Sequence, residues 1–258
     1  MKVYARTRNV HDEQQNVIPY SVNIYNSLDG FLQLGAEVKF FQNVYDIYPE
    51  YERGDIVLDG IDQVNYCLSK FDIVPDNCNY PKCLEKYMGR KFWKDTINNI
   101  NTHPELWGNF VKPIKDKAFV GRVINGPKDL MGCGSCYENY EVLVSEPVEF
   151  IYECRGFVYY DKLIDLRPYK GDWKYMKNMN TDVIVQAMED WKTWDERPMA
   201  CALDWGVTKD GRTLLVEKNS AYALGMYGLT PLQYAKMISA YISQISGTKD
   251  EYYFGNIF

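Results

Sequence analysis

The chain has 258 residues, a formal net charge of -6, 46% hydrophobic residues and 25% charged residues. This composition is ordinary for a globular protein, and a chain of this length holds one large domain or two or three smaller lobes. The acidic balance argues against general nucleic-acid binding, because such binding needs clustered Lys and Arg side chains to neutralise phosphates.

The compartment can also be predicted from the sequence. No apolar run is long enough to cross a bilayer, and residues 1–15 lack the apolar core of a signal peptide. We therefore expect no membrane association and a cytoplasmic location, which the seven scattered Cys also favour. Cys133 and Cys136 form a C-x-x-C, but no second pair at zinc-ligand spacing accompanies them, and neither His11 nor His103 lies nearby. We interpret them as loop cysteines rather than as a metal or redox site.

The first part of the chain has the pattern of a small α/β lobe. Residues 2–6, 37–41 and 55–58 read as strands, residues 21–34 as an amphipathic helix closed by a glycine, and residues 62–68 as a second helix. Arg6, Arg8 and His11 lie at the start of this lobe. They either line a site for an acceptor substrate or form a solvated edge.

The next stretch combines a lysine on a strand with a glycine-rich loop. Residues 80–87 read as helical, and residues 110–113 as a strand that presents Lys112. Residues 115–136 follow, rich in Gly and Lys, with the pattern strand, loop, strand. Such a loop beside a fixed lysine can close over phosphates through backbone N–H groups and a point charge, although many Gly-rich loops only turn a corner.

A proline marks a hinge after the strand at residues 140–145. Pro147 has no backbone donor, so pairing stops and free backbone groups are expected near Glu146. The following strand, residues 148–160, carries Glu153 and Arg155 on one face. These two either form a surface ion pair or point into a cleft and hold the charge and hydroxyls of a ligand.

Helices and a basic loop complete the second half. Residues 162–166 read as the return strand, and the loop after it carries Lys170. Thr181 is predicted to cap one helix, and Thr230 with Pro231 begins a final packing helix.

The stretch MACALDWGVTKDGRTLLVEKN, residues 199–219, predicts a hairpin. Asp210 and Gly211 between apolar runs signal a two-residue loop, which places Asp204 opposite Glu217 and Asn219 diagonal to Asp204 on the same face. Opposed carboxylates in a half-buried sheet repel each other, and a cation relieves that repulsion. Oxygen donors with room for water or phosphate favour Mg2+ over zinc. The alternative is a solvated face, with Lys218 paired to one of the acids.

The order of these features resembles the ATP-grasp superfamily over residues 80–229. The segments VSEPVEFIYECRGFV, YKGD and ALDWGVTKDGRTLLVEKNSAYALGMYGL are similar to its R2K clade, many of whose members are encoded by phages and bacteria. The resemblance implies an α/β (α+β) fold that clasps ATP between antiparallel sheets. Its expected parts are an N-terminal lobe (1–78), a central lid lobe (79–145) and a C-terminal lobe with the metal site (146–258).

The resemblance also implies ATP and Mg2+ as cofactors and gives roles to individual residues. The implied nucleotide ligands are Lys112 and Arg90 at the phosphates, Glu146 and the backbone of Val148 at the adenine edge, and Glu153 at the ribose. The implied catalytic cations at the terminal phosphate or acyl-phosphate are Arg155 and Lys170. The implied metal ligands are Asp204, Glu217 and Asn219. Lys218 departs from the family pattern, since a small or apolar residue is more usual between the last two ligands.

The activity implied is that of an ATP- and Mg2+-dependent carboxylate-amine ligase that works through an acyl-phosphate. Its partners would be a small-molecule or peptide carboxylate and an amine acceptor, in the host cytoplasm if the protein is virus-encoded. One alternative is a metal-dependent phosphoesterase or nuclease, which would use Asp204 and Glu217 without needing the hinge or Lys112. Another is an ATP-grasp protein that transfers phosphate, or binds nucleotide, without ligase activity.

Overall fold

Three sheets organise the chain, in the order in which the sequence presents them. The computed structural model describes residues 1–8, 17–76, 80–115, 118–134 and 138–253. His11 and Cys136, which the sequence singled out, lie outside these residues.

The N-terminal sheet is parallel, with strand order β2-β1-β3. Its strands are β1 (Val3–Arg6), β2 (Val38–Phe41) and β3 (Ile56–Leu58), and its helices are α1 (Val22–Gln33), α2 (Val44–Ile47) and α3 (Ile61–Ser69). Ser21 caps α1 by accepting a hydrogen bond from the Ile24 N–H. The three predicted strands and the two predicted helices are present, and α2 is an additional short helix between β2 and β3.

The central sheet is antiparallel, with order β4-β7-β5-β6. It contains β4 (Phe92–Thr96), β5 (Phe110–Pro113), β6 (Arg122–Val123) and β7 (Glu141–Ser145), and α4 (Ile97–Thr102) covers one face. The prediction of strand, loop, strand for residues 115–136 is wrong. The described part of that stretch contains the two-residue β6 and a 3-10 helix, Pro127–Leu130, where proline removes a ladder donor. The helical stretch before β4 is also a 3-10 helix, Lys82–Tyr87.

The C-terminal sheet has order β11-β10-β8-β9, and every pairing in it is antiparallel. Its strands are β8 (Phe150–Tyr159), β9 (Lys162–Gly171), β10 (Ala200–Thr208) and β11 (Thr213–Ser220), and α5 (Thr181–Trp191) packs on one face. Trp191 and Trp205 are fully buried there. The wide apolar face of this sheet therefore has a core of its own.

The hairpin between β10 and β11 has the predicted pairing of Asp204 with Glu217, but its turn differs from the prediction and β11 contains a bulge. The prediction of a two-residue loop is wrong. Val207 pairs with Thr213, and the turn closes where the Thr208 N–H donates to the Arg212 carbonyl at 3.0 Å. A β-bulge then shifts the register between Asp204 and Trp205, so that Trp205 pairs with Leu215 while Asp204 pairs with Glu217. The bulge restores the register, and the predicted opposition of the two carboxylates is confirmed.

A two-residue loop does occur, between β8 and β9. Tyr160 and Asp161 form it with φ values of 42° and 65°. Two consecutive left-handed residues match the type I′ turn that joins twisted strands well. The sequence analysis placed the chain reversal here, but it did not predict the turn type, because the loop contains no glycine.

The last helix, α6 (Pro231–Ser246), returns to the N-terminal lobe. It begins at the Thr230 cap with proline in its first turn and ends at Gly247, which has φ of 65°. The helix packs against α1, and Gly30 makes this possible, since a Cβ there would overlap the Pro231 carbonyl. Buried residues of α6, β1 and β8 form one core, which joins the first and last parts of the chain. None of the helices within the described residues is long and apolar enough to span a membrane.

Candidate nucleotide and metal site

A cavity of about 290 Å3 lies between the central and C-terminal sheets. The residues that line it come from the central sheet, from the chain after β7, and from strands β8, β9 and β11. The predicted site residues among its walls are Arg90, Glu146, Val148, Glu153, Lys170 and Glu217. The fold therefore brings together residues that are as far as 127 positions apart in the chain.

Lys112 connects the two sheets by binding Glu217, which lines this cavity. From β5, its Nζ lies 2.6 Å from Oε2 of Glu217 on β11. The side chains are 15% and 29% exposed, so the pair is largely shielded from water. Burial acts to raise the pKa of Glu217, but Lys112, Asn219 and Arg155 together hold the pKa below its usual value.

Asp204 is the most deeply buried member of the group, with a side chain 2% exposed. Arg155 binds it with two hydrogen bonds, Nε to Oδ1 and Nη2 to Oδ2, both 2.8 Å. Burial raises the pKa of Asp204, while Arg155 opposes this shift. The interpretation of Asp204 as part of a solvated face is wrong. Lys218, which that alternative paired with one of the acids, places its Nζ 3.1 Å from Asp76.

Asn219 joins the two carboxylates. Its Nδ2 donates to Oδ2 of Asp204 at 3.1 Å and to Oε1 of Glu217 at 3.2 Å. The three predicted metal ligands therefore lie within one hydrogen-bonded group. Arg155 and Lys112 pair with the two carboxylates and balance their negative charges.

The donors in this group fit a hard cation. Within the described residues there is no cluster of three His, Cys, Asp or Glu, so a metal here would rely on two carboxylates and an amide. Oxygen ligands few enough to leave room for water or phosphate suit Mg2+. A half-turn of the Asn219 amide would present its oxygen in the same place, and Lys112 would have to release Glu217.

Glu153 and Arg155 have different partners, so the prediction of a surface pair between them is wrong. Glu153 is 5% exposed, and its Oε2 accepts a 2.6 Å hydrogen bond from the Tyr169 hydroxyl. Its Oε1 binds Lys170. Lys170, which the resemblance placed at the terminal phosphate, thus lies beside the acid expected at the ribose.

Tyr169 also lines the cavity, although the sequence analysis did not predict it as a site residue. Its ring stacks on Tyr227 with centroids 5.2 Å apart, and the Arg155 guanidinium lies over Tyr227 at 5.1 Å. Burial, followed by the charges of Asp204 and Glu153, raises the pKa of Tyr169, so it donates rather than ionises. A register shift opposite Glu153 and Cys154 turns this residue toward the acid. Strict alternation along a strand cannot locate such a shift, and no other sequence signal pointed to it.

The hinge after β7 holds the adenine candidates. Oε2 of Glu146 accepts from the Lys91 N–H at 3.0 Å, and the Glu146 N–H donates to the Lys91 carbonyl at 3.0 Å. In the described parts of the chain, the Val148 N–H makes no backbone hydrogen bond. Val148 also lines the cavity wall, and its role at the adenine edge stays a prediction.

Arg90 lines the cavity but directs its guanidinium at the backbone. Nη1 donates to the carbonyls of Met88 at 3.0 Å and Leu215 at 2.9 Å, and Nη2 donates to the carbonyl of Val216 at 2.7 Å. Three of its five donors are thus used by peptide groups.

A second cavity of about 200 Å3 adjoins Arg155 and Asn219 and extends toward Ile61 of the N-terminal lobe. A wider depression in that lobe includes Arg6 and Arg8. Arg6 pairs with Asp59 at 3.1 Å. Cys133 is buried, with its thiol directed at the Asp129 carbonyl.

Comparison with known proteins connects this geometry to a family. The profile described as ATP-grasp domain, R2K clade family 2, matches residues 87–237, more than half of the chain. The comparison with curated proteins gave no significant match.

Solved structures share the fold at low identity. The D-alanine–D-alanine ligase from Bacillus anthracis complexed with ATP is 13% identical, with 96% of this chain and 98% of that chain covered and a TM-score of 0.51. The L-amino acid ligase from Bacillus licheniformis is 9% identical, with 93% and 75% covered and a TM-score of 0.51. Together with the family profile, this fold shows that the chain belongs to the R2K clade of ATP-grasp domain proteins, family 2.

Proposed function

We propose that the protein is an ATP- and Mg2+-dependent ligase that joins a carboxylate to an amine through an acyl-phosphate. The observation that carries the proposal is the bonded group of Asp204, Glu217 and Asn219 with Lys112 and Arg155, in which Glu217 lines the cavity between the two sheets. A phosphoesterase or nuclease would need the acids but not the hinge or a lysine from the opposite sheet.

The cavity has groups suited to each part of ATP. The Val148 N–H would donate to the adenine edge, and Glu153 would accept hydrogen bonds from the ribose hydroxyls, since each carboxylate oxygen has more than one acceptor site. Lys112 would move from Glu217 to the phosphates, where it exchanges one anionic partner for another. Lys170 would hold Glu153 in place from the rim.

Asp204, Glu217 and Asn219 would hold Mg2+, which neutralises charge on the phosphate oxygens during transfer. Arg155 contributes a fixed positive charge beside this group, and the stacked rings of Tyr169 and Tyr227 hold its guanidinium in place. Such a preorganised charge stabilises a developing anion without rearrangement during the reaction.

The second cavity, which adjoins Arg155 and Asn219, would hold the carboxylate substrate beyond the terminal phosphate. A carboxylate oxygen placed there would attack the γ-phosphorus, and the bond to the bridging oxygen would break to release ADP. The amine nitrogen would then attack the acyl carbon, phosphate would leave with the bonding electrons, and the amine proton would pass to water. Positioning and charge neutralisation suffice for this chemistry, so no nucleophilic side chain is required.

The test is product analysis with ATP, Mg2+ and a panel of amino acids and short peptides. We expect ADP and phosphate to form only when a suitable carboxylate is present, and hydroxylamine to trap the acyl group as a hydroxamate. Glu217→Gln should abolish the formation of ADP and phosphate and also that of the hydroxamate. A stable phosphorylated acceptor without free phosphate would indicate a phosphotransferase instead, and cleavage of phosphodiesters without ATP would indicate a nuclease.

A further inference from the structure

Arg90 supports a bulge in the strand that carries the candidate metal ligands. The register shift in β11 falls between Leu215 and Glu217 and leaves Val216 as the extra residue. A bulge interrupts the hydrogen-bond ladder and leaves carbonyl groups that need other donors. The two carbonyls that Arg90 binds from outside the strand are those of Leu215 and Val216.

The bulge decides which way Glu217 faces. Because side chains alternate along a strand, a slip of one residue would turn Glu217 and Asn219 away from Asp204. Their present convergence, with Asn219 bonded to both acids, requires the extra residue at Val216.

The approach of Arg90 to this strand is also built into the chain. Gly89 has φ of 59°, and a Cβ there would overlap the side chain of Leu214. The glycine therefore lets the segment before β4 lie directly on β11. This close contact brings the guanidinium to the bulge rather than into the cavity.

We propose that Arg90 is a positioning residue that fixes the β11 bulge, and thereby the metal ligands Glu217 and Asn219, rather than a ligand of the ATP phosphates. The inference rests on the proposed metal site. A guanidinium donates along a rigid fork to two adjacent carbonyls, whereas a lysine supplies one compact charge. A phosphate contact would largely survive Arg90→Lys, but the fork on two carbonyls would not.

The experiment compares Arg90→Lys and Arg90→Met with Lys91→Met, which removes an exposed charge next to Arg90. Mn2+ affinity is measured by electron paramagnetic resonance with a non-hydrolysable ATP analogue at saturation. Affinities for ATP, ADP and AMP are measured in EDTA, and amide exchange of residues 214–219 is followed without ligand. Loss of a group that orients metal ligands costs about 10- to 100-fold in metal affinity.

We expect Arg90→Lys to weaken Mn2+ binding by about tenfold or more, to speed exchange in residues 214–219, and to leave the ratio of ATP to AMP affinity at the wild-type value. Lys91→Met should leave all three readouts unchanged. The proposal is overturned if Arg90→Lys behaves as wild type while Arg90→Met weakens binding more with each added phosphate. Wild-type protein that binds neither ATP nor Mn2+ would overturn the proposed function instead. If Arg90→Met does not fold, Arg90→Lys alone decides between the two roles.

Discussion

Replacing Lys112 by Met should have opposite effects on nucleotide and metal binding. The substitution keeps an extended side chain but removes the ammonium group 2.6 Å from Glu217. A hydrogen bond to a charged group contributes about 1.5–3 kcal/mol. At about 1.4 kcal/mol per tenfold change, ATP should bind about 10- to 150-fold more weakly.

Metal binding without nucleotide should instead become tighter in the same variant. Lys112 competes with a cation for Glu217, and its removal leaves Glu217 and Asp204 with one balancing charge, that of Arg155. We expect a smaller change in Mn2+ affinity than in ATP affinity, because the remaining solvent at the 29%-exposed Glu217 side chain partly screens its interaction with Lys112.

Calorimetric titrations with ATP in EDTA and with Mn2+ alone measure these two effects. Lys192→Met is the matched control, since it removes an exposed lysine that pairs with Glu189 at 2.7 Å on α5. It should change neither affinity. Unchanged ATP affinity in Lys112→Met would refute the assignment of Lys112 to the phosphates, and weaker Mn2+ binding would refute the competition.

Three further changes test other parts of the structure. Tyr169→Phe keeps the ring but removes the hydroxyl bonded to Glu153, so ATP should bind about 2- to 10-fold more weakly with a smaller effect on 2′-deoxy-ATP; equal losses for both nucleotides would contradict the ribose role of Glu153. Gly206→Ala would push a Cβ into the Phe150 ring and should lower the free energy of unfolding in urea by about 1–3 kcal/mol, whereas Gly126→Ala, with open space around it, should be near neutral. Asp161→Asn keeps a residue that tolerates the left-handed turn but breaks a two-bond ion pair with Arg197. The Arg197 hydrogen bond holds the pKa of Asp161 below its usual value, so its stabilisation is present above the unfolded pKa of about 3.9 and is lost as the pH falls through the lower folded value. Wild type should therefore exceed the variant by up to about 1 kcal/mol at pH 7, with the gap closing below about pH 4; a gap that widens on acidification would contradict this.

Local patterns predicted most elements but not the irregularities between them. The glycine after α1, the proline at the start of α6 and the alternation in β8 each have a short-range physical cause, and their elements lie where expected. The Asp-Gly pair predicted a two-residue loop, but Thr208 and Arg212 close a wider turn. The extra residue at Val216 then shifts the strand pairing by one, so that Asp204 still lies opposite Glu217. Bulges depend on contacts with other strands, which the local sequence does not specify.

The site residues were predicted better as a group than as pairs. Asp204, Glu217 and Asn219 lie together in the structure. This grouping could be predicted, because side-chain alternation and hairpin pairing depend only on nearby residues. Partners that come from other strands could not be predicted. Lys170 lies on Glu153, and Arg90 lies on the carbonyls of β11. Both placements depend on a register or a chain approach that appears only when the sheets are assembled.

The central claim is that Asp204, Glu217 and Asn219 hold Mg2+ beneath the phosphates of ATP. The most direct measurement is Mn2+ binding by electron paramagnetic resonance with a non-hydrolysable ATP analogue, in wild type and in the Asp204→Asn, Glu217→Gln double variant. We predict tight Mn2+ binding in wild type that falls by at least about 10- to 100-fold in the double variant, while thermal unfolding shows that both proteins remain folded. Equal Mn2+ affinity in two folded proteins would contradict it.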